Sequence, residues 1–215
     1  PENSRTRYHL ALVHEAAGQQ PAARDIMQEL AESDASEYSP TAADAALWMA
    51  VLQGEHGDFE AWDPERLTAY VHWLTLASRH APQDPDPRRL LSDVFQFQGD
   101  NARAREVLIP VVDSSLEIAY KVYAIEKQLG LEKESQVSAR SVVPLFESRL
   151  KEQPHDTSNR LLYASLLVFQ DDEQHAVQLL EEGLALVSSP DESQLLRTAL
   201  TEAMVLEWAR IRDND

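Results

Sequence analysis

Apolar residues recur along this chain at spacings of three and four, and no convincing stretch alternates between apolar and polar residues as a strand would. Glycine occurs only six times in 215 residues, and short turns rich in Gly, Pro and Asp separate the helix-length stretches. The pattern predicts an all-α protein of about eleven helices.

A weak internal repeat runs along these predicted helices. A small residue precedes each of three turns, and an Ala and then a large apolar residue follow each turn at matching distances. The repeated residues are Leu10-Ala11, Ala23 and Met27 around Gly18, Leu91-Ser92, Ala104 and Leu108 around Gly99, and Tyr163-Ala164, Ala176 and Leu180 around Asp171. Such a helix hairpin cannot bury its apolar face alone, so stacked copies form a solenoid.

We expect a single domain, 1–215, of five antiparallel helix hairpins and a C-terminal capping helix. The hairpins are predicted at about 5–38, 41–82, 86–114, 115–153 and 157–188, and the capping helix at 192–212. The cap is expected to have a polar outer face, as the ends of repeat arrays require.

Two hairpins are irregular in sequence. The second is expanded around Trp48, Trp62 and Trp73, and the proline-rich stretch 81–87 after it is expected to be a connector. Prolines 110 and 144 each predict a kink or break. The register of the fourth hairpin is ambiguous, because alignment on Gly130 and alignment on Pro144 differ by about three residues.

The repeat resembles that of tetratricopeptide-repeat (TPR) proteins, with small residues where two helices approach closely, and Pro110 and Pro144 lie one TPR period apart. The resemblance implies a right-handed α-solenoid whose first helices line a concave groove that holds a peptide or a partner helix. It gives these groove candidates: Tyr8, Leu12, Arg89, Asp93, Phe97, Tyr120, Lys127 and Phe169. Packing between neighbouring helices is the more common role of aromatics such as Phe97, Tyr120 and Phe169.

The charge of the chain narrows the choice of partner. Its 37 acidic and 19 basic residues give a net charge of −18, which disfavours nucleic acid and favours a basic or amphipathic protein segment. One TPR subgroup binds the terminal carboxylate of a chaperone with cationic side chains at the positions that Tyr8 and Leu12 occupy here. Neither residue is cationic, so this kind of partner is not expected. No apolar run is long enough for direct membrane insertion. The sequence has no cysteines and no signal-peptide core, and these features do not fix the compartment. The oligomeric state is also left open.

We expect no catalytic, metal-binding or cofactor-binding site, because the partial motifs in the sequence each lack required residues. His14-Glu15 lacks the second His of a metalloprotease helix, and His56, Asp58, Glu60 and Asp63 lack the pattern of a calcium loop. Acidic pairs are abundant in so acidic a chain and indicate a solvated surface. The sequence therefore predicts a non-enzymatic protein- or peptide-binding scaffold. The alternatives are a structural spacer arm of a larger protein, or an enzyme with a carboxylate pair in the groove.

Overall fold

Consecutive helices pair as antiparallel hairpins in the computed structural model of the chain, which describes residues 3–33, 39–54 and 59–214. Within this part, eleven α-helices account for most of the chain. Their bounds are α1 Ser4–Ala16, α2 Gln20–Ala31, α3 Pro40–Val51, α4 Pro64–His80, α5 Pro85–Phe97, α6 Asn101–Leu108, α7 Leu116–Gln128, α8 Glu132–Glu152, α9 Thr157–Phe169, α10 Glu173–Leu186 and α11 Pro190–Asn214. The prediction of an all-α repeat of five hairpins and a final helix is confirmed.

Side-chain caps fix most of the helix starts. The residue before the first turn accepts a backbone N–H, and it thereby satisfies one of the free amides at the helix N-terminus. These caps are Asn3, Ser39, Asp63, Asp84, Asp100, Ser115, Asp156 and Asp172. All are residue types that prefer this position, so the starts are encoded locally.

The chain forms two compact units, Pro1–Ser114 (unit 1) and Ser115–Asp215 (unit 2). In unit 1, α1–α2, α3–α4 and α5–α6 are the hairpins, and α2 packs on α3 and α4 on α5. In unit 2, α7–α8 and α9–α10 are the hairpins, and α11 packs on α10 and α9. The expectation of one domain over 1–215 stays a prediction.

The repeated residues form the cores of their hairpins. The small residue before each turn and the Ala and large residue after it are buried: Ala11, Ala23 and Met27, then Ser92, Ala104 and Leu108, then Ala164, Ala176 and Leu180, whereas Leu10 is 48% exposed. The turn residues Gly18, Gly99 and Gly130 have φ values of 73°, 76° and 69°, and Asp171 takes the same place in the fifth hairpin with φ 61°. Gly130 therefore fixes the register of the fourth hairpin.

The fourth hairpin reverses the size order of the others. Tyr123 lies where Ala11, Ser92 and Ala164 lie relative to their turns, and Ala139 lies where the others have Met27, Leu108 and Leu180. Both are buried, Tyr123 at 1% exposure and Ala139 at 3%. In this hairpin the first helix, α7, supplies the large side chain and the second helix, α8, supplies the small one. The space between the two helices is therefore filled from the opposite side.

The prolines act differently from one another. Pro85 and Pro87, expected in a connector, instead form the first turn of α5, where missing N–H groups cost nothing. After α6, the segment Ile109–Ser114 is a 3₁₀ helix with a non-helical Val111, as expected near Pro110. Of the kink or break expected at Pro144, the break is wrong, because α8 continues through it, and the kink stays a prediction. Pro144 and Arg140 are both exposed, so water can reach the carbonyl that loses its partner.

Candidate functional site

In unit 1, the predicted site residues of α1 lie beside acidic groups of the first and second hairpins. Trp48 Nε1 donates a hydrogen bond to Glu15 Oε2 at 3.0 Å, which ties α3 to α1. Partial burial, with smaller effects of Asp44 and Glu15, raises the pKa of the half-buried Tyr8. Leu12 lies one turn further along the helix and is also half-buried. These residues present an acidic surface with an aromatic ring in it.

The predicted site residues on α5 make contacts within their own unit. Arg89 and Asp93 form an ion pair at 3.7 Å, one helical turn apart. Phe97 is 46% exposed, and its other side packs on Phe59 with ring centroids 5.5 Å apart. Phe59 also contacts the rings of Trp62 and Tyr70. Phe97 is thus partly a core residue and partly an exposed aromatic.

In unit 2, the predicted residues Tyr120, Lys127 and Phe169 have three different surroundings. Tyr120 is half-buried, with its ring 6.0 Å from that of Phe146. Burial raises its pKa, and a hydrogen bond with Ser165 opposes that effect. Lys127 Nζ pairs with Glu132 at 3.2 Å. Phe169 is 49% exposed and lies at the end of α9.

An apolar pocket of about 200 Å³ lies between α9 and α11. Small residues leave room between the two helices, and larger apolar residues form the walls. The residues that define this pocket are Ala164, Val168, Phe169, Ala203 and Leu206, with Glu202 as its one acidic group. Phe169 was a predicted groove residue, whereas the contributions of α11 were not predicted. Leu206 is a large apolar residue in a helix that was expected to have a polar outer face. Its presence there was the signal in the sequence that could have indicated this side of the pocket.

A second cavity of about 360 Å³, the turn pocket, lies at the turn end of α7 and α8 and beside the end of α9. Its defining residues are Tyr123, Lys127, Glu132, Ala139, Phe169 and Asp171. Burial, followed by the effects of Tyr120, Glu132 and Asp171, raises the pKa of Tyr123 to about 12. Phe169 lines both pockets.

The outer side of α11 mixes large apolar residues with exposed polar ones such as Arg197, Thr201 and Arg210, whereas a cap was expected to be polar there. Leu196 and Ala203 are buried, whereas another set of large apolar residues is exposed: Leu195, Met204, Val205, Trp208 and Ile211. The Arg212 guanidinium lies 5.1 Å from the centre of the Trp208 ring. Trp208 is 62% exposed, so it is not a core residue of the part of the chain that the structure describes.

The described part of the chain has neither a cluster of metal ligands nor a membrane-spanning helix. Among residues 3–33, 39–54 and 59–214, no group of three or more His, Asp or Glu side chains is placed to hold a metal ion. His56 and Asp58 of the acidic turn lie outside the described residues. In the same ranges, no helix combines the length and apolar content that crossing a bilayer requires.

Several solved structures have the same fold. YrrB, described as a TPR protein with an unusual peptide-binding site, is 12% identical, with a TM-score of 0.55 over 92% of this chain and 93% of its own. Yeast Tom70 is 15% identical, with a TM-score of 0.53 over 98% of this chain and 41% of its own. Pseudomonas aeruginosa PilF is 15% identical, with a TM-score of 0.50 over 99% of this chain and 97% of its own.

No family model matches the sequence, and no curated protein matches it. The hairpins, their small-residue contacts and these structural neighbours together define a class: the chain is a TPR-like, all-α helical repeat protein. At such low sequence identity the likeness shows the fold alone.

Proposed function

We propose that this chain is a non-enzymatic scaffold that binds a protein or peptide partner, and that the apolar pocket between α9 and α11 anchors one side chain of that partner. The pocket is the observation that carries the proposal. It has a volume of about 200 Å³ and apolar walls, and Phe169 and Leu206 at its opening are both about half exposed. Exposed aromatic and aliphatic residues around a pocket are typical anchors of protein interfaces.

The charge of the chain supports a partner with basic residues beside its apolar anchor. Glu202 is the one charged residue of the pocket, and the whole chain carries a net charge of −18. Such a field attracts cationic segments and increases their rate of association. An amphipathic segment with Lys or Arg next to an aliphatic residue meets both requirements.

In unit 1, Tyr8, Leu12, Arg89, Asp93 and Phe97 are proposed as further partner-binding residues, as is Tyr120 in unit 2. A spacer arm without a ligand needs no exposed aromatic rings. The half-exposed Phe97 and Phe169 therefore favour a binding role.

Selection from a phage-displayed library of random peptides on the immobilised 215-residue chain tests this proposal. We expect enriched peptides to share an aliphatic or aromatic residue close to Lys or Arg. The variant Leu206→Ser removes an apolar wall and should lose these peptides. Leu195→Ser is the matched control, because Leu195 is similarly exposed on the same helix but lies outside the pocket. Failure to enrich any peptide, or equal binding by both variants, contradicts the proposal.

A further inference from the structure

The turn pocket contains a buried hydroxyl group without a partner. Tyr123 is 1% exposed, and its Oη is fully buried and forms no hydrogen bond within the described residues. Leaving such a group unpaired costs free energy, which a ligand can recover by supplying a donor or acceptor. Tyr123 reaches this place because the fourth hairpin reverses the size order of the repeat.

The charges near this hydroxyl are acidic at one end of the pocket. Glu132 and Asp171 are the carboxylates that line it, and the C-terminus of α9 adds the negative end of a helix dipole. Lys127 is paired with Glu132, and Arg210 donates to the backbone carbonyl of Asp171 and pairs with Glu173, so neither of these contacts uses the Asp171 carboxylate, which is the acceptor at this end. The other cation that lines the pocket, Arg140, lies eight residues along α8 from Glu132, a rise of about 12 Å.

An aromatic face completes the pocket. The Phe169 ring is 49% exposed, and its centroid lies 6.4 Å from that of Tyr123. An aromatic face beside carboxylates suits a guanidinium group, because this planar cation stacks on rings and donates several hydrogen bonds in its plane. An ammonium group offers less contact with a ring.

We propose that the turn pocket binds an arginine side chain of the partner, with the guanidinium group stacked on Phe169 and donating hydrogen bonds to the Asp171 carboxylate and to Tyr123 Oη. The inference rests on the proposed function and specifies the partner further. Because Phe169 lines both pockets, the arginine lies close to the residue that fills the apolar pocket. The partner is thus recognised by a short motif of one aliphatic residue and one arginine.

N-acetyl-arginine N-methylamide, a model of arginine within a chain, is the probe for the test. Titrated into the 15N-labelled chain, it should shift the amide signals of Glu132, Gln170 and Asp171 in a saturable way, with a Kd on the order of 1 mM. The citrulline analogue has nearly the same shape without the charge and should give no saturable shift. Equal binding of citrulline, tighter binding of the lysine or glutamate analogue, or no saturable shift overturns the proposal.

Two substitutions separate binding from structure. Asp171→Asn keeps a residue type that tolerates positive φ and should weaken arginine binding about tenfold. Asp172→Asn is the matched control, because Asn also caps α10 and Asp172 lies outside the pocket. Equal affinities of these two variants contradict the assignment.

Tyr123→Phe keeps the ring and removes only the hydroxyl. It should weaken arginine binding about threefold to tenfold without lowering the thermal midpoint, because the hydroxyl has no partner to lose. Wild-type affinity in this variant would exclude the hydroxyl from the site. Leu206→Ser should bind the arginine probe normally, so loss of peptide binding in that variant tests the apolar pocket alone. Aliphatic peptides selected without arginine would uphold the proposed function and overturn this inference.

Discussion

Three tyrosines of this chain have hydroxyl groups in surroundings that oppose ionisation. Tyr70, Tyr123 and Tyr163 are each at most 3% exposed, and burial raises the pKa of each to about 12. Carboxylates add to the effect: Asp93 beside Tyr70, and Glu147 beside Tyr163. The folded chain therefore holds these protons more tightly than the unfolded chain, in which a tyrosine has a pKa of about 10.

This difference predicts a loss of stability at alkaline pH. Below about pH 10 the three tyrosines are neutral in both states and do not change the free energy of unfolding with pH. Between pH 10 and about 12 the unfolded chain ionises first, so the free energy of unfolding falls as pH rises. Denaturant unfolding at a series of pH values measures the slope, and Tyr123→Phe should reduce it. A slope equal to that of the wild type would contradict the raised pKa of Tyr123.

At the scale of the helices, Gly183 has no side chain and so leaves room for the buried side chain of Arg160 between the two helices of the fifth hairpin. Arg160 on α9 is 4% exposed and donates hydrogen bonds to the carbonyls of Leu179 at 2.8 Å and Pro154 at 3.0 Å. It lies directly against Gly183 of α10, where a Cβ atom would lie 2.8 Å from the arginine Nε and 3.4 Å from Leu196 Cδ1. These hydrogen bonds hold the arginine where the Cβ would be.

Gly183→Ala should therefore destabilise the chain by about 1–3 kcal/mol through overpacking, although alanine is the better helix former. Denaturant unfolding followed by circular dichroism measures the change. Glu181→Ala on the exposed side of α10 is the control and should change stability by no more than about 0.5 kcal/mol. A stabilised Gly183→Ala would show that helix propensity outweighs the contact with Arg160.

Helix α11 shows how packing departs from a local pattern. Its apolar and polar residues are mixed around the helix, and the neighbouring α9 and α10 cover the side that carries Leu196 and Ala203. Trp208 and Ile211 stay exposed on another side. The expectation of a polar outer face came from the general behaviour of repeat arrays, and the exposed apolar residues of α11 depart from it.

At the scale of the whole molecule, the net charge of −18 acts on stability. Like charges in a compact chain repel one another, and dissolved salt screens that repulsion. The exposed ion pairs, such as Arg89–Asp93, contribute little and lose little when screened.

We therefore expect the thermal midpoint to rise with NaCl between about 0.05 M and about 0.5 M. A gain of about 1 kcal/mol corresponds to a shift of about 2–4 °C for a chain of this size. Differential scanning calorimetry measures the shift, and KCl at equal ionic strength should reproduce it. A midpoint that falls with salt would show that the ion pairs outweigh the net repulsion.

The sequence by itself determined the hairpins, because helix starts and turns depend on a few neighbouring residues. Asp63 before Pro64 and the glycines at 18, 99 and 130 act within one turn of chain, and so the predicted helix order is confirmed. Only the tertiary structure decided which apolar residues are covered. Periodicity places Phe169 and Leu206 on faces of their helices, but a neighbouring helix must be in position before a face becomes a core or a pocket. The buried hydroxyl of Tyr123 depends on three helices at once, and no local spacing records it.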